Sequence, residues 1–288
     1  MGITDILENA VKDMLIGWIQ SNLSGMFADV NEKVGTIAEQ VGKSPQSWNS
    51  GIFDMIRTLS ENVMIPIAGM IITFVLCYEL IHMVMEKNNM HDIDTFMFFK
   101  YIFKMWVAVF LLSHVFDITM AIFDMVQYIV TQAGAVISGS TEIDVTATIT
   151  EMTEKLEEMG IGELLLLSVE TLLVSLCMKI ISVLITVILI GRMIEIYLYS
   201  SVAPIPFATM TNREWGSIGN NYLKGLLALG FQGFFMMICV AIYGVLVNEM
   251  TISSNLHSAL FSIAGYTIVL CFSLFKTGTL AKTVFSAH

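Results

Sequence analysis

Lys179 lies among Cys177, Met178 and Ile180, deep in an apolar run and too far from either end for its stem to carry the charge fully into water. A cation at the centre of a bilayer costs at least about 2.5 kcal/mol unless something compensates it, so an ionisable residue there is a functional candidate by default. Glu163 and Glu170 stand seven apart and share a helix face, whereas Lys179, nine residues beyond Glu170, projects from the opposite face. An intrahelical ion pair is thereby excluded, and the partner has to come from another helix, a second subunit or water. His114, Asp117 and Asp124, at steps of three and seven, stripe one side of another apolar run and are the candidate partners. The chemistry open to this set is a buried pair that fixes helix register, a hydrated passage lined by polar groups, or proton coupling.

Enzyme patterns are missing. The sequence contains no H-E-x-x-H, G-x-S-x-G, Walker A or G-x-G-x-x-G motif. Glu79-Leu80-Ile81-His82 is a single Glu-x-x-His at helical spacing, and a carboxylate-bridged di-metal centre needs two copies plus two further carboxylates. Cys77, Cys177, Cys239 and Cys271 all sit inside apolar runs without paired spacing, which reads as packing rather than a disulfide framework or thiolate site. No catalytic activity, cofactor or metal is expected.

The elements that hold these residues follow from composition. Of the 288 residues, 56% are hydrophobic and 14% charged, against roughly 25% charged in soluble domains, so too little polar surface exists to cover a globule. The apolar residues fall in blocks of the roughly 20 residues that a helix needs to cross hydrocarbon. The expected fold class is all-α: a polytopic membrane protein of about five transmembrane helices, at 63–85, 105–123, 170–192, 225–247 and 256–275. Pro66 falls in the opening turn of the first, where proline is tolerated. Helical patterning extends the second over 95–132 and the third over 160–200, so these two outlast the bilayer. Ahead of them, Ile3, Leu7, Ala10, Val11, Met14, Leu15, Trp18 and Ile19 make residues 3–23 an amphipathic helix, expected at the membrane surface or on a partner helix. Residues 24–61 are polar, and the Gly42–Gly51 stretch within them reads as a loop between short helices. Two regions result: an extracytoplasmic segment at 1–62 and a five-helix membrane domain at 63–288.

Orientation comes from Lys and Arg in the connections. Lys87, Lys100, Lys104, Arg192, Arg213, Lys224, Lys276 and Lys282 fall on one side by alternation, against Lys155 alone on the other. Eight against one puts the N-terminus outside and the C-terminus in the cytoplasm. The net charge of -11 argues against a surface that attracts nucleic acid by charge.

Two backbone features stand out. Ala203-Pro204-Ile205-Pro206-Phe207-Ala208 carries prolines at Pro204 and Pro206 that break the helix, and an apolar broken segment at membrane depth has to be buried in protein or line a cavity. Gly230, Gly233, Met237, Ala241 and Gly244 form a small-residue stripe suited to close helix packing, with Gln232 on the other side.

An amphipathic N-terminus, a span opening near a proline, and a long helix ending in Ala203–Ala208 are followed by Trp215, Gly216-Ser217-Ile218-Gly219-Asn220-Asn221-Tyr222-Leu223-Lys224 and Phe231-Gln232-Gly233. This order resembles the TrbL family of conjugal transfer membrane proteins, related to the sixth VirB component of type IV secretion systems. The resemblance implies a homo-oligomeric subunit of the inner platform in the bacterial cytoplasmic membrane. Its expected partners are membrane lipid, other secretion-system subunits including ATPases, and the transferred DNA or protein. The implied function is passage of DNA or protein across that membrane; the alternative is a secondary transporter or other channel with a midplane polar site. The central outside loop is short here and carries Glu142, Asp144, Glu151, Glu154, Glu157 and Glu158, which argues against phosphate contact at that loop.

Overall fold

The computed structural model describes residues 3–85, 95–137, 145–212, 214–251 and 256–287. Among them the only regular structure is helical: α1 Ile3–Gly42, α2 Pro45–Trp48, α3 Ser50–Leu59, a π-turn at Ser60–Met64, α4 Ile65–Met85, α5 Thr95–Ser113, α6 Val115–Ile137, α7 Val145–Glu158, α8 Ile161–Val202, α9 Pro204–Thr209, α10 Gly216–Thr251 and α11 Leu256–Val284. Among the described residues, five stretches are long and apolar enough to cross a membrane: Ser50–Met85, Phe96–Ser113, Ile161–Ser201, Gly216–Glu249 and Leu256–Val284. The chain is a multi-pass, all-helical membrane protein.

Contacts divide it into two compact units, one of Met1–Gly42, Val130–Ile190 and Phe235–Thr277, the other of Lys43–Ile129, Gly191–Phe234 and Gly278–His288. Compactness thus breaks the N-terminal part at Gly42–Lys43, whereas polarity drew the line after residue 62.

In the first unit, Ile16, Ile19, Leu23, Phe27, Val30, Ile37 and Val41 form a buried stripe along α1 at steps of three, four and seven. Residues 24–42 therefore continue the helix of 3–23 instead of forming a short helix of their own, and α1 ends at Gly42, where the expected loop stretch begins. Their polar composition hid a stripe that continues without a shift in phase. Helix α7, inside the expected acidic connection, packs on α1 through Met152 and Leu156. Lys12 Nζ donates to the Glu157 carbonyl at 2.6 Å, and Gln20 Nε2 donates to Thr153 Oγ1 at 2.8 Å. Glu142 and Asp144 of that connection lie outside the described residues.

In the second unit, Val115, Phe123, Met193, Ile196, Ala203, Phe207, Tyr222, Leu226 and Leu229 share one core, and Ala68, Ile72, Leu76, Ala108, Leu112 and Ala208 another. Pro66 does not open the first span. The helix already runs from Ser50, and the π-turn at Ser60–Met64 lies directly before the proline. A proline ring clashes with the carbonyl four residues back, and the wider i→i+5 turn relieves that clash without ending the helix. The second span is Phe96–Ser113, not 105–123. A single non-helical position, His114, separates α5 from α6, although His114 N–H still donates to Phe110 O and Ile118 N–H to His114 O. Helix α8 keeps its expected length: 42 residues, about 63 Å at 1.5 Å per residue, twice the hydrocarbon thickness.

Candidate functional site

Lys179 is placed by α8, and the charges that face it come from α1. Asp29, Glu32, Lys33 and Thr36 of α1 line one cavity of about 410 Å³ with Lys179, Ser182 and Thr186 of α8. Lys33 is buried at 6% exposure and donates from Nζ to the Met178 carbonyl at 3.3 Å. Burial holds the Lys33 ammonium below the usual lysine range, while Asp29 and Glu32 oppose that shift. Two carboxylates, two ammonium groups and three hydroxyls thus line a cavity on a helix whose surrounding face is leucine, isoleucine and valine. Such a set can hold water and ions at a depth where an isolated lysine could not stay charged.

The other candidate residues have contacts of their own. Asp117 accepts from Arg57 Nη2 at 3.4 Å, beside the Arg57–Glu61 pair at 2.8 Å. Asp124 is exposed. His114 Nδ1 bonds the Phe110 carbonyl at 3.0 Å, and its ring lies 4.5 Å from that of Phe110. Equal spacing along one helix gave these residues a common face but could not say which helix meets it. Glu170 bonds His257 Nδ1 of α11 through Oε2. Glu163 Oε2 accepts the Gly160 N–H at 3.3 Å, so it caps α8 rather than joining Glu170.

The proline segment becomes a bend, not an open loop. Helix α8 ends at Val202, Ala203 keeps helical angles (φ -47°, ψ -40°), and Pro204 begins α9, where a missing N–H has no partner to lose. Against this bend Gly219 approaches so closely that a Cβ would stand 2.6 Å from the Pro206 carbonyl oxygen, and a Cβ at Gly216 would stand 3.1 Å from that of Met210. The glycines after Trp215 are there for contact with α9. Tyr222 then stacks on Tyr199 at 4.9 Å and donates to its carbonyl at 2.6 Å.

These elements meet the outcome of comparison with known sequences. A family model described as TrbL/VirB6 plasmid conjugal transfer like protein matches residues 30–204, more than half of the chain. The chain belongs to this family. As a TrbL/VirB6-like protein it is a membrane component of conjugal transfer or type IV secretion. No curated protein and no solved structure matches the chain. The matched stretch of this TrbL/VirB6-like chain runs from residue 30 to Pro204, so it takes in α8 and the Lys179 cavity except Asp29, but not the glycine motif after Trp215 that carried the resemblance.

On α10, Gly230 meets α6: its Cβ would lie 3.1 Å from Val126 Cγ2. Gly233 and Gly244 are buried and Ala241 half-buried. The face opposite this stripe is packed as well, since Gln232 is 7% exposed and Met236 fully buried. Gln232 lies against Gly278, whose Cβ would stand 3.2 Å from Gln232 Nε2. Sequence reading assigned Arg192 only to topology. It is buried, with Nη2 3.5 Å from the Gly230 carbonyl. Arg192 Nε and Gln232 Oε1 have no hydrogen-bond partner among the described residues. Glu79 pairs with Lys104 at 2.6 Å and accepts from Asn212 at 3.4 Å, while His82 lies beside Tyr78. Among the described residues no group of three His, Cys, Asp or Glu side chains is arranged to hold a metal.

Proposed function

We propose that the chain is an inner-platform translocation-channel subunit of a conjugative type IV secretion system, helping to pass DNA or protein across the cytoplasmic membrane. On this reading it is a homo-oligomer without catalytic activity, oriented with its N-terminus outside, and the work is supplied by partner ATPases, since its sequence carries no nucleotide-binding motif. The observation that carries the proposal is the family match over residues 30–204. It is supported by a charged and hydroxyl-lined cavity midway along a spanning helix, a feature expected where water enters the membrane. The acidic α7 packs on α1 and carries no basic face, so contact with transferred DNA is expected away from it. An in-frame deletion tests the role. Loss of transfer, restored by the gene in trans and not by a Lys179→Leu, Lys33→Leu double variant of normal abundance, supports a translocation role through the cavity. Transfer at the parental level in the deletion strain contradicts it.

A further inference from the structure

A second cavity, of about 940 Å³, opens where α4 ends and α5 begins, closed on one side by the turn after α9. Most of its polar groups satisfy one another. Lys104 pairs with Glu79, Asn212 donates to the same carboxylate, and the Tyr101 hydroxyl donates to the Leu76 carbonyl at 2.9 Å. Two opposite charges remain. Lys100 lies over the Phe96 ring at 5.7 Å and has no carboxylate partner among the described residues. Glu214 is exposed and accepts from the Tyr78 hydroxyl at 3.2 Å.

The surroundings fit one class of ligand. Trp215 stacks between Phe74 and Tyr78, at 5.8 and 5.6 Å, which is the aromatic packing found at headgroup depth. Phe74, Met85, Phe99 and Phe103, on the two helices that form the cavity, are each at least 60% exposed and offer a track for hydrocarbon. A polar cavity that presents one ammonium without a carboxylate partner among the described residues and one exposed carboxylate, at the ends of two spans flanked by exposed aromatics, matches a headgroup that itself carries both signs. We propose that this cavity binds the headgroup of an ethanolamine phospholipid, with the phosphate on Lys100 and the ammonium on Glu214. Phosphate to lysine and ammonium to carboxylate are charge-assisted hydrogen bonds, stronger than neutral ones.

The test is native mass spectrometry of the detergent-purified full chain titrated with phosphatidylethanolamine or phosphatidylglycerol. Wild type is expected to retain phosphatidylethanolamine in preference. Lys100→Gln should weaken retention of both lipids about tenfold, Lys100→Arg should keep it, and Glu214→Gln should remove the preference while leaving phosphatidylglycerol unchanged. Lys224→Gln, on α10 and outside the cavity lining, should match wild type. Equal retention by Lys100→Gln and wild type overturns the proposal, as does an equal loss in Lys224→Gln. Displacement of the lipid by millimolar inorganic phosphate reassigns the site to free phosphate and overturns the lipid assignment.

Discussion

The Lys33 ammonium donates to the carbonyl oxygen of Met178 at 3.3 Å, which fastens α1 to the residue directly before Lys179. Lys179, an exposed side chain, lines one cavity with Asp29 and Glu32 of α1. A helix too charged to be counted as a span is thereby tied to the middle of one of the most apolar helices in the chain.

Lys179→Met leaves two carboxylates against Lys33 alone, and membrane abundance should fall several-fold. Adding Glu32→Gln should restore it, whereas Asp117→Asn and Asp124→Asn should not. Quantitative immunoblotting of membrane fractions reads the result, and rescue by either aspartate variant would return the pairing to α6.

Gly219→Ala places a methyl 2.6 Å from the Pro206 carbonyl oxygen, and backbone has to move. The cost is about 1–3 kcal/mol, a lower thermal midpoint in detergent. Gly191→Ala, with nothing within 4 Å of its Cβ, should instead raise stability by about 0.5–1 kcal/mol, because glycine loses more entropy than alanine in a helix. The opposite signs of the two shifts are the content of the prediction.

The turn between α1 and α3 is held from α8: the Tyr197 hydroxyl donates to the Pro45 carbonyl at 2.6 Å, and Asn49 Oδ1 accepts the Ile52 N–H at 2.9 Å as the cap of α3. Tyr197→Phe and Asn49→Ala should each cost about 1 kcal/mol, while Asn49→Asp should be tolerated. Thermal unfolding measures all three.

The sequence carried the helices better than their neighbours. Apolar runs located α4, α8, α10 and α11 because membrane spans need unbroken hydrophobicity, and the pattern around Lys179 showed correctly that Glu170 could not reach it. Helix α7 is legible in Met152 and Leu156, four apart among acids, although its mean polarity resembles that of a loop. Pairing across helices was not legible. Asp117 meeting Arg57, Glu170 meeting His257 and Lys179 facing Asp29 and Glu32 depend on how separate segments pack, and spacing within a segment carries no information on that. Met236, off the glycine stripe, is fully buried as well, so spacing along α10 alone does not separate its packed positions from its open ones.

Orientation rests on the distribution of Lys and Arg. In intact cells expressing a chain without native cysteines, a cysteine at Thr146 should react with an impermeant maleimide, and cysteines at Ser217 or Ala287 should not. Labelling at the latter pair, with none at Thr146, would invert the topology.

Recovery of transferred DNA with the protein is the most direct measurement of the translocation role. During mating, formaldehyde cross-linking followed by immunoprecipitation of the chain and amplification of the transferred strand should give a signal that depends on the partner ATPases and is lost in the Lys179→Leu, Lys33→Leu variant at equal abundance. Transfer that proceeds at the parental level while no strand is recovered with the protein would contradict the account.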